Sequence, residues 1–153
     1  TKGITLRNEL RFNKITGALG FSYIGRYNEM LNDTEDLPEE FFYSPEVNAS
    51  VTYTWDSPNI SLSTIYKYTG REQRYLSRGG DAVLGEIDAF NWWDANVTWR
   101  LNKNLSFQSG VKNILNVTDV NSTAQAEGGH SAAATSVGLT YGRSYFLKAT
   151  FDF

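Results

Sequence analysis

Three arginines, Arg71, Arg74 and Arg78, stand close together beside Tyr68 and Tyr75. A guanidinium fork binds carboxylates and phosphates bidentately, so this segment could clamp an anionic ligand. The acids that follow, Asp81, Glu86 and Asp88, offer internal partners instead, as would lipopolysaccharide phosphates, and residue types alone leave both readings open. A second cluster is acidic: Glu29, Asp33, Glu35, Asp36, Glu39, Glu40 and Glu46, with no Lys, Arg or His between them. Several carboxylates can hold a divalent cation, but the spacing fits no calcium loop. A solvated outer loop, which divalent ions could bridge to lipid headgroups, fits better. His130 lies in a small-residue stretch, EGGHSAAA. An exposed imidazole could ligate a haem iron or a cobalt corrinoid axially, although one histidine without a visible partner is ordinarily a plain loop residue. Of the adjacent Trp92 and Trp93, one ring could meet a substrate, while an interfacial anchor is the simpler role for both.

No nucleophile with a base, no glycine-rich phosphate loop and no acid/base pair of carboxylates on a common strand is present, so no enzyme is expected. Cys is absent and His130 is the single histidine, which removes thiolate chemistry and histidine metal clusters. With 14 basic against 17 acidic residues the net charge is −3, and nothing invites nucleic acid. The 153 residues suit one domain, spanning residues 1–153. The first residues, TKGITLRNEL, do not read as a secretory signal. That leaves a mature chain, a cytoplasmic one or a piece of a longer one. No apolar run approaches the roughly 20 residues of a membrane-spanning helix.

The elements that position these groups are strands. Tyr145, Leu147, Ala149, Phe151 and Phe153 alternate with Ser144, Lys148, Thr150 and Asp152, and only Phe146 breaks the pattern. Val47, Ala49, Val51, Tyr53 and Trp55 alternate likewise with Asn48, Ser50, Thr52 and Thr54. Trp93, Ala95, Val97, Trp99 and Leu101 do so with Asp94, Asn96, Thr98 and Arg100. Weaker alternation covers 6–12, 19–27, 60–68 and 105–111, making seven strands with one apolar and one wet face. The connections run short, long, short, long, short, long: 13–17, 56–59 and 102–104 are turns of Asn, Asp, Pro and Gly, whereas 28–46, 69–90 and 116–142 are long. In a meander this puts all short turns at one end, the asymmetry of bacterial outer-membrane barrels. Strand lengths near the 9–11 residues that cross a bilayer, charges on the wet face, and aromatics bunched at strand ends agree with that reading.

Two stretches, GVKNILN (110–116) and YGRSYFLKATFDF (141–153), resemble the last two strands of TonB-dependent outer-membrane receptors, and LNKNLSF (101–107) looks like the periplasmic turn preceding them. The likeness is good from about Asn91 onward and looser upstream. It implies an all-β antiparallel transmembrane barrel of about 22 strands enclosing a plug domain. This chain would supply roughly the last seven strands, without the plug. It further implies active uptake across the bacterial outer membrane of a large scarce solute such as an iron siderophore, haem or cobalamin. Expected partners are the rest of the barrel and plug, a TonB-type energy-coupling protein, outer-membrane lipid and lipopolysaccharide, and a surface lipoprotein. No resident cofactor is expected. On this reading Tyr145, Leu147, Ala149, Phe151, Phe153, Trp93, Val97, Trp99, Val51, Tyr53 and Trp55 face lipid. The long connections, with Arg71, Arg74, Tyr75, Arg78, Trp92 and His130, contribute to substrate binding.

Two rivals keep the strands and change the solvent. A small eight-stranded barrel for adhesion or envelope integrity needs one more strand, which Val137, Leu139 and Tyr141 could supply. A soluble secreted β-sandwich binding sugar through its aromatics would bury the apolar face against a second sheet. Seven Asn-x-Ser/Thr sequons begin at Asn32, Asn48, Asn59, Asn96, Asn104, Asn116 and Asn121. Since Asn48 and Asn96 sit inside strands, a polar strand face explains them better than glycosylation does.

Overall fold

The computed structural model describes residues 1–27, 41–78, 81–123 and 135–153. They form antiparallel strands, with no helix among the described residues. In chain order these are β1 (Lys2–Phe12), β2 (Ile15–Tyr27), β3 (Phe41–Trp55), β4 (Ile60–Thr69), β5 (Glu72–Arg78), β6 (Asp81–Ile87), β7 (Phe90–Arg100), β8 (Leu105–Lys112), β9 (Asp119–Ser122), β10 (Thr135–Gly138) and β11 (Ser144–Phe151). Seven of them build one open sheet in the order β1-β2-β3-β4-β7-β8-β11, and the seven strands expected from alternation are these seven. The remaining four form a second sheet, β10-β9-β6-β5, inside two of the long connections. Eleven strands among the described residues, rather than seven, is the main correction to the sequence reading. The candidate eighth strand of a small barrel also goes elsewhere: β10 pairs with β9 and does not join the large sheet.

Register explains why the large apolar residues share one face. The partner row Phe12, Ile15, Tyr53, Leu62, Val97, Ser109, Leu147 crosses all seven strands. Because side chains alternate, every second residue from each of these lies on the same side. The row starts at the last residue of β1 and ends at the fourth of the eight in β11, the oblique stagger that accompanies tilted strands in barrels. On this side aromatics gather at both ends. Tyr53 meets Trp55 and Phe151 meets Phe153 toward the short turns, while Tyr23 stacks on Tyr43 and Tyr27 meets Phe41 toward the long connections. Leu19, Phe21, Val51, Leu62, Val97 and Leu147 lie between.

The opposite face is small and polar. Thr5 bonds Ser22, Thr52 bonds Ser63, Thr54 bonds Ser61, and Gln108 donates to Asn96 across neighbouring strands. Phe146, the break in the β11 alternation, lies on this face because it covers Gly110. A Cβ there would stand 2.6 Å from the Phe146 ring and 2.7 Å from the Ala95 carbonyl oxygen, so the ring occupies the place a side chain would take.

Burial reverses that of a water-soluble sandwich. Leu147 is 79% exposed and Leu6 64%, whereas Val120, in the small sheet, is the one buried hydrophobic residue among the described residues. Buried residues of the large sheet include Ser22 and Ser44, both on the polar face. The apolar face is not covered by a second sheet. The polar face is the more crowded one.

Candidate functional site

The polar face is richest in charge where β2 and β3 run past the end of β4. Arg26 comes from β2, Phe42, Ser44 and Glu46 from β3, and Lys67 and Thr69 from β4; alternation places all six on the polar side. β3 extends further than alternation suggested, through Pro45 and Glu46 back to Phe41. Proline is admissible because the Pro45 carbonyl accepts from Gly70 N at 2.8 Å, on the side where the β4 ladder has ended, so no donor is missing. Gly70 is required by this close approach: a Cβ there would come within 2.5 Å of the Pro45 ring. The chain then turns into β5, which brings Glu72, Gln73 and Tyr75 beside β3.

The result is a cleft of about 200 Å³ lined by Arg26, Tyr27, Phe42, Ser44, Glu72, Gln73 and Ile87. Arg26 donates from Nη1 to Glu72 Oε1 at 2.5 Å, and its Nη2 lies 3.7 Å from Glu46 Oε1. Lys67 Nζ stands 4.0 Å from the other Glu46 oxygen. Phe42 is braced edge-on by Tyr75, with ring centroids 5.3 Å apart. Ser44 is 3% exposed, and its hydroxyl has no hydrogen-bond partner; neither has the buried hydroxyl of Thr69.

Of the residues singled out in the sequence, Tyr75 reaches this cleft through Phe42. Arg71 faces two of the acids that follow it: its Nε lies 2.9 Å from Glu86 Oε1 and its Nη2 3.9 Å from Asp88. Arg74 and Arg78 lie in β5, and their side chains are outside the described residues. Trp92 is on the polar face, in register with Lys67. Trp93 is on the apolar face, where its indole N–H donates to Thr64 at 2.6 Å. His130 and the acids from Glu29 to Glu40 are outside the described residues. Among those described, no group of three His, Asp or Glu side chains could hold a metal ion.

One cluster was missed as a unit, although its residues belong to the stretches that carry the resemblance. Asn113 is 1% exposed and has φ of 53°, a conformation asparagine tolerates better than most residues. Its backbone N–H donates to Asp94 Oδ1 at 2.8 Å, its side-chain amide donates to the Val117 carbonyl at 2.8 Å, and its Oδ1 accepts from Val117 N at 2.9 Å. Asn116, with φ of 58°, accepts from Arg143 N at 3.0 Å, and the Arg143 guanidinium donates twice to the Ile114 carbonyl. These bonds turn the chain out of β8 toward β9 and fasten its return at the start of β11. The two motifs thus meet as one clasp, and their visible role is structural.

No family model, no curated protein and no solved structure matches the chain. Its class is therefore the one its geometry defines: an open antiparallel all-β sheet with one apolar and one polar face, and a small second sheet at one end.

Proposed function

We propose that this chain is a section of wall from an outer-membrane β-barrel importer of the TonB-dependent kind. The apolar face meets lipid, the polar face lines the lumen, and the long connections form part of the outward mouth. The observation that carries this is the uncovered apolar face of seven strands. A protein in water rarely leaves a contiguous patch of this size open, whereas hydrocarbon is the solvent such a face needs. The two aromatic bands suit the two interfaces of a bilayer. β2 and β3, at 13 and 15 residues, exceed the 9–11 that crossing takes, so their ends and the cleft between them would stand clear of the hydrocarbon. The free edges of β1 and β11 call for neighbouring strands, since an unpaired edge in lipid is costly. The rest of the barrel would supply them, and a plug and an energy-coupling protein complete the importer. The cargo class suggested by the resemblance is a large scarce solute such as an iron siderophore, haem or cobalamin.

The absence of cysteine makes the test direct. Leu147→Cys and Lys148→Cys place single thiols on neighbouring residues of opposite faces. In the membrane-inserted protein, a fluorophore at 147 should be quenched by brominated lipid acyl chains, and a thiol at 148 should react with a charged maleimide. Equal behaviour at both sites defeats the membrane reading. Uptake that persists after loss of the energy-coupling protein defeats the importer reading alone.

A further inference from the structure

Apart from the Tyr and Trp of the aromatic bands, the apolar side of the wall carries few polar side chains, and most are answered within the sheet. Thr64 accepts from the Trp93 indole at 2.6 Å and donates to the Asp94 carbonyl at 3.1 Å. Asn91 accepts from the Tyr66 hydroxyl. Lys2, at the long-connection end, holds its ammonium 4.7 Å from the centroid of the Phe41 ring. Two side chains have no partner among the described residues, Asn8 in β1 and Ser109 in β8. Their places differ. Ser109 lies between two paired strands, in register with Val97 and Leu147, and a short hydroxyl can turn onto its own backbone. Asn8 lies on β1, whose outer edge is free, and its carboxamide has two N–H donors and an acceptor to satisfy. Its surroundings are hydrocarbon. It is in register with Leu19, and Leu6 and Leu10 flank it on the same side, 64% and 62% exposed. At about 3.3 Å per residue it stands about 13 Å along the strand from Phe12, further than so short a side chain can reach toward water. An amide left there without a partner is costly, and only the free edge has room to supply one.

Strand direction restricts what can occupy that edge. Every ladder from β1 across to β11 is antiparallel, and the sheet has seven strands, so β1 and β11 run the same way. Two copies of the chain inserted in one orientation would therefore meet in parallel, whichever free edges they offered. Outer-membrane barrels pair their strands antiparallel. The occupant is thus a strand of another sequence, running from the short-turn end toward the long-connection end.

Resting on the wall reading, we propose that this neighbouring strand sets a Ser, Thr, Asn or Gln against Asn8 on the lipid side, and that the polar pair fixes the register of the seam. Between two apolar strips in lipid, a slip of two residues exchanges one hydrocarbon contact for another and is weakly opposed. With the pair in place the same slip turns the amide onto an apolar side chain. A lone buried Asn sets register in coiled coils by the same physics.

Two measurements on the membrane-inserted protein test this. In urea unfolding from phospholipid vesicles, Asn8→Leu should shift the equilibrium about five- to tenfold toward the unfolded state, because it strands the partner's polar group. Ser109→Ala, with no free edge beside it, should shift it less than about twofold. A benzophenone side chain at position 8 should photocrosslink to β2 on its paired side and, on the other, to one peptide outside residues 1–153. That peptide should carry Ser, Thr, Asn or Gln within two residues of the link. The proposal is overturned if Asn8→Leu leaves the equilibrium unchanged or favours the folded state. It is equally overturned by links confined to β2 or lipid, by a covalent dimer of the chain, or by a linked peptide without such a residue. Brominated-lipid quenching at position 147 in the same vesicles separates the two failures. Quenching beside a neutral Asn8→Leu ends this proposal and leaves the wall intact, and loss of quenching ends the wall reading itself.

Discussion

The seven-stranded wall and the four-stranded sheet at its end are built on the same backbone pattern and held by different means. The wall's strands are 8 to 15 residues long and share one apolar side, whose large side chains touch their lateral neighbours and otherwise lie open. The small sheet has strands of 4 to 7 residues, and β9 meets β6 through the single partner pair Ile87 and Ser122. Bonds to flanking residues supplement that junction: Thr123 N donates to the Glu86 carbonyl at 2.8 Å, and Asp88 N to the Asn121 carbonyl at 3.0 Å. The wall depends on the solvent outside it, the small sheet on specific polar contacts and on the clasp beneath it. A change of side-chain polarity should therefore damage the first, and loss of one hydrogen-bonding side chain the second.

The largest effect separates the two faces of the wall. Val97→Arg places a charge in the middle of the apolar side; if that side meets lipid, as proposed, an Arg or Lys there costs about 2–4 kcal/mol at the bilayer midplane. Thr98→Arg, one residue away on the polar side, should cost less than about 1 kcal/mol. Urea unfolding of the protein in phospholipid vesicles measures both. Similar costs for the two variants would mean that the faces do not meet different solvents, and the contrast between wall and small sheet would lose its basis.

The wall was legible in the sequence because period 2 is a strong signal when one face is kept apolar over ten residues. The small sheet was not, because β9 and β10 are four residues each, too short to establish a period, and β5 and β6 mix charged with apolar residues. β6 and β5 also carry ion pairs from outside the sheet, Arg71 on Glu86 and Arg26 on Glu72. The cleft was illegible for a related reason. Arg26, Ser44 and Glu72 are far apart in sequence, and only the register of β2 on β3 and the turn at Gly70 unite them. Tyr75 was found through its aromatic type, and Arg71 was found but proved to be engaged by its acids. The clasp residues were visible as a resemblance, with no sign in one dimension that Asn113, Asn116 and Arg143 converge.

The clasp gives the intermediate effect. Asn113→Ala removes both side-chain bonds to Val117 and leaves its part-buried backbone N–H and carbonyl without those partners, a loss of about 1–3 kcal/mol. Asn113→Asp keeps the acceptor for Val117 N and loses the donor, so it should fall between Ala and the native residue. Hydrogen exchange should quicken at β9 and at the start of β11, while β2, β3 and β4 keep their protection. Uniform loss across all strands would show that the small sheet and the wall unfold together, and that the clasp is not a local device.

The smallest effect is electrostatic and lies at the short-turn end. Lys14 Nζ stands 3.0 Å from Asp56 Oδ2. The hydrogen bond to that carboxylate, aided by its charge, holds the ammonium above the ordinary lysine value of 10.5. Because the folded value is raised, the pair contributes while Lys14 is protonated in both states, which covers neutral pH. The contribution declines above 10.5 and is gone once the pH passes the folded value. Both groups reach water, so salt screens the pair and its share of stability is small. Lys14→Met should therefore lower the melting midpoint slightly at pH 8 in low salt, and the difference should close in high salt or strong alkali. A deficit that grows with alkali would reverse the sign of the linkage and remove Asp56 as its cause.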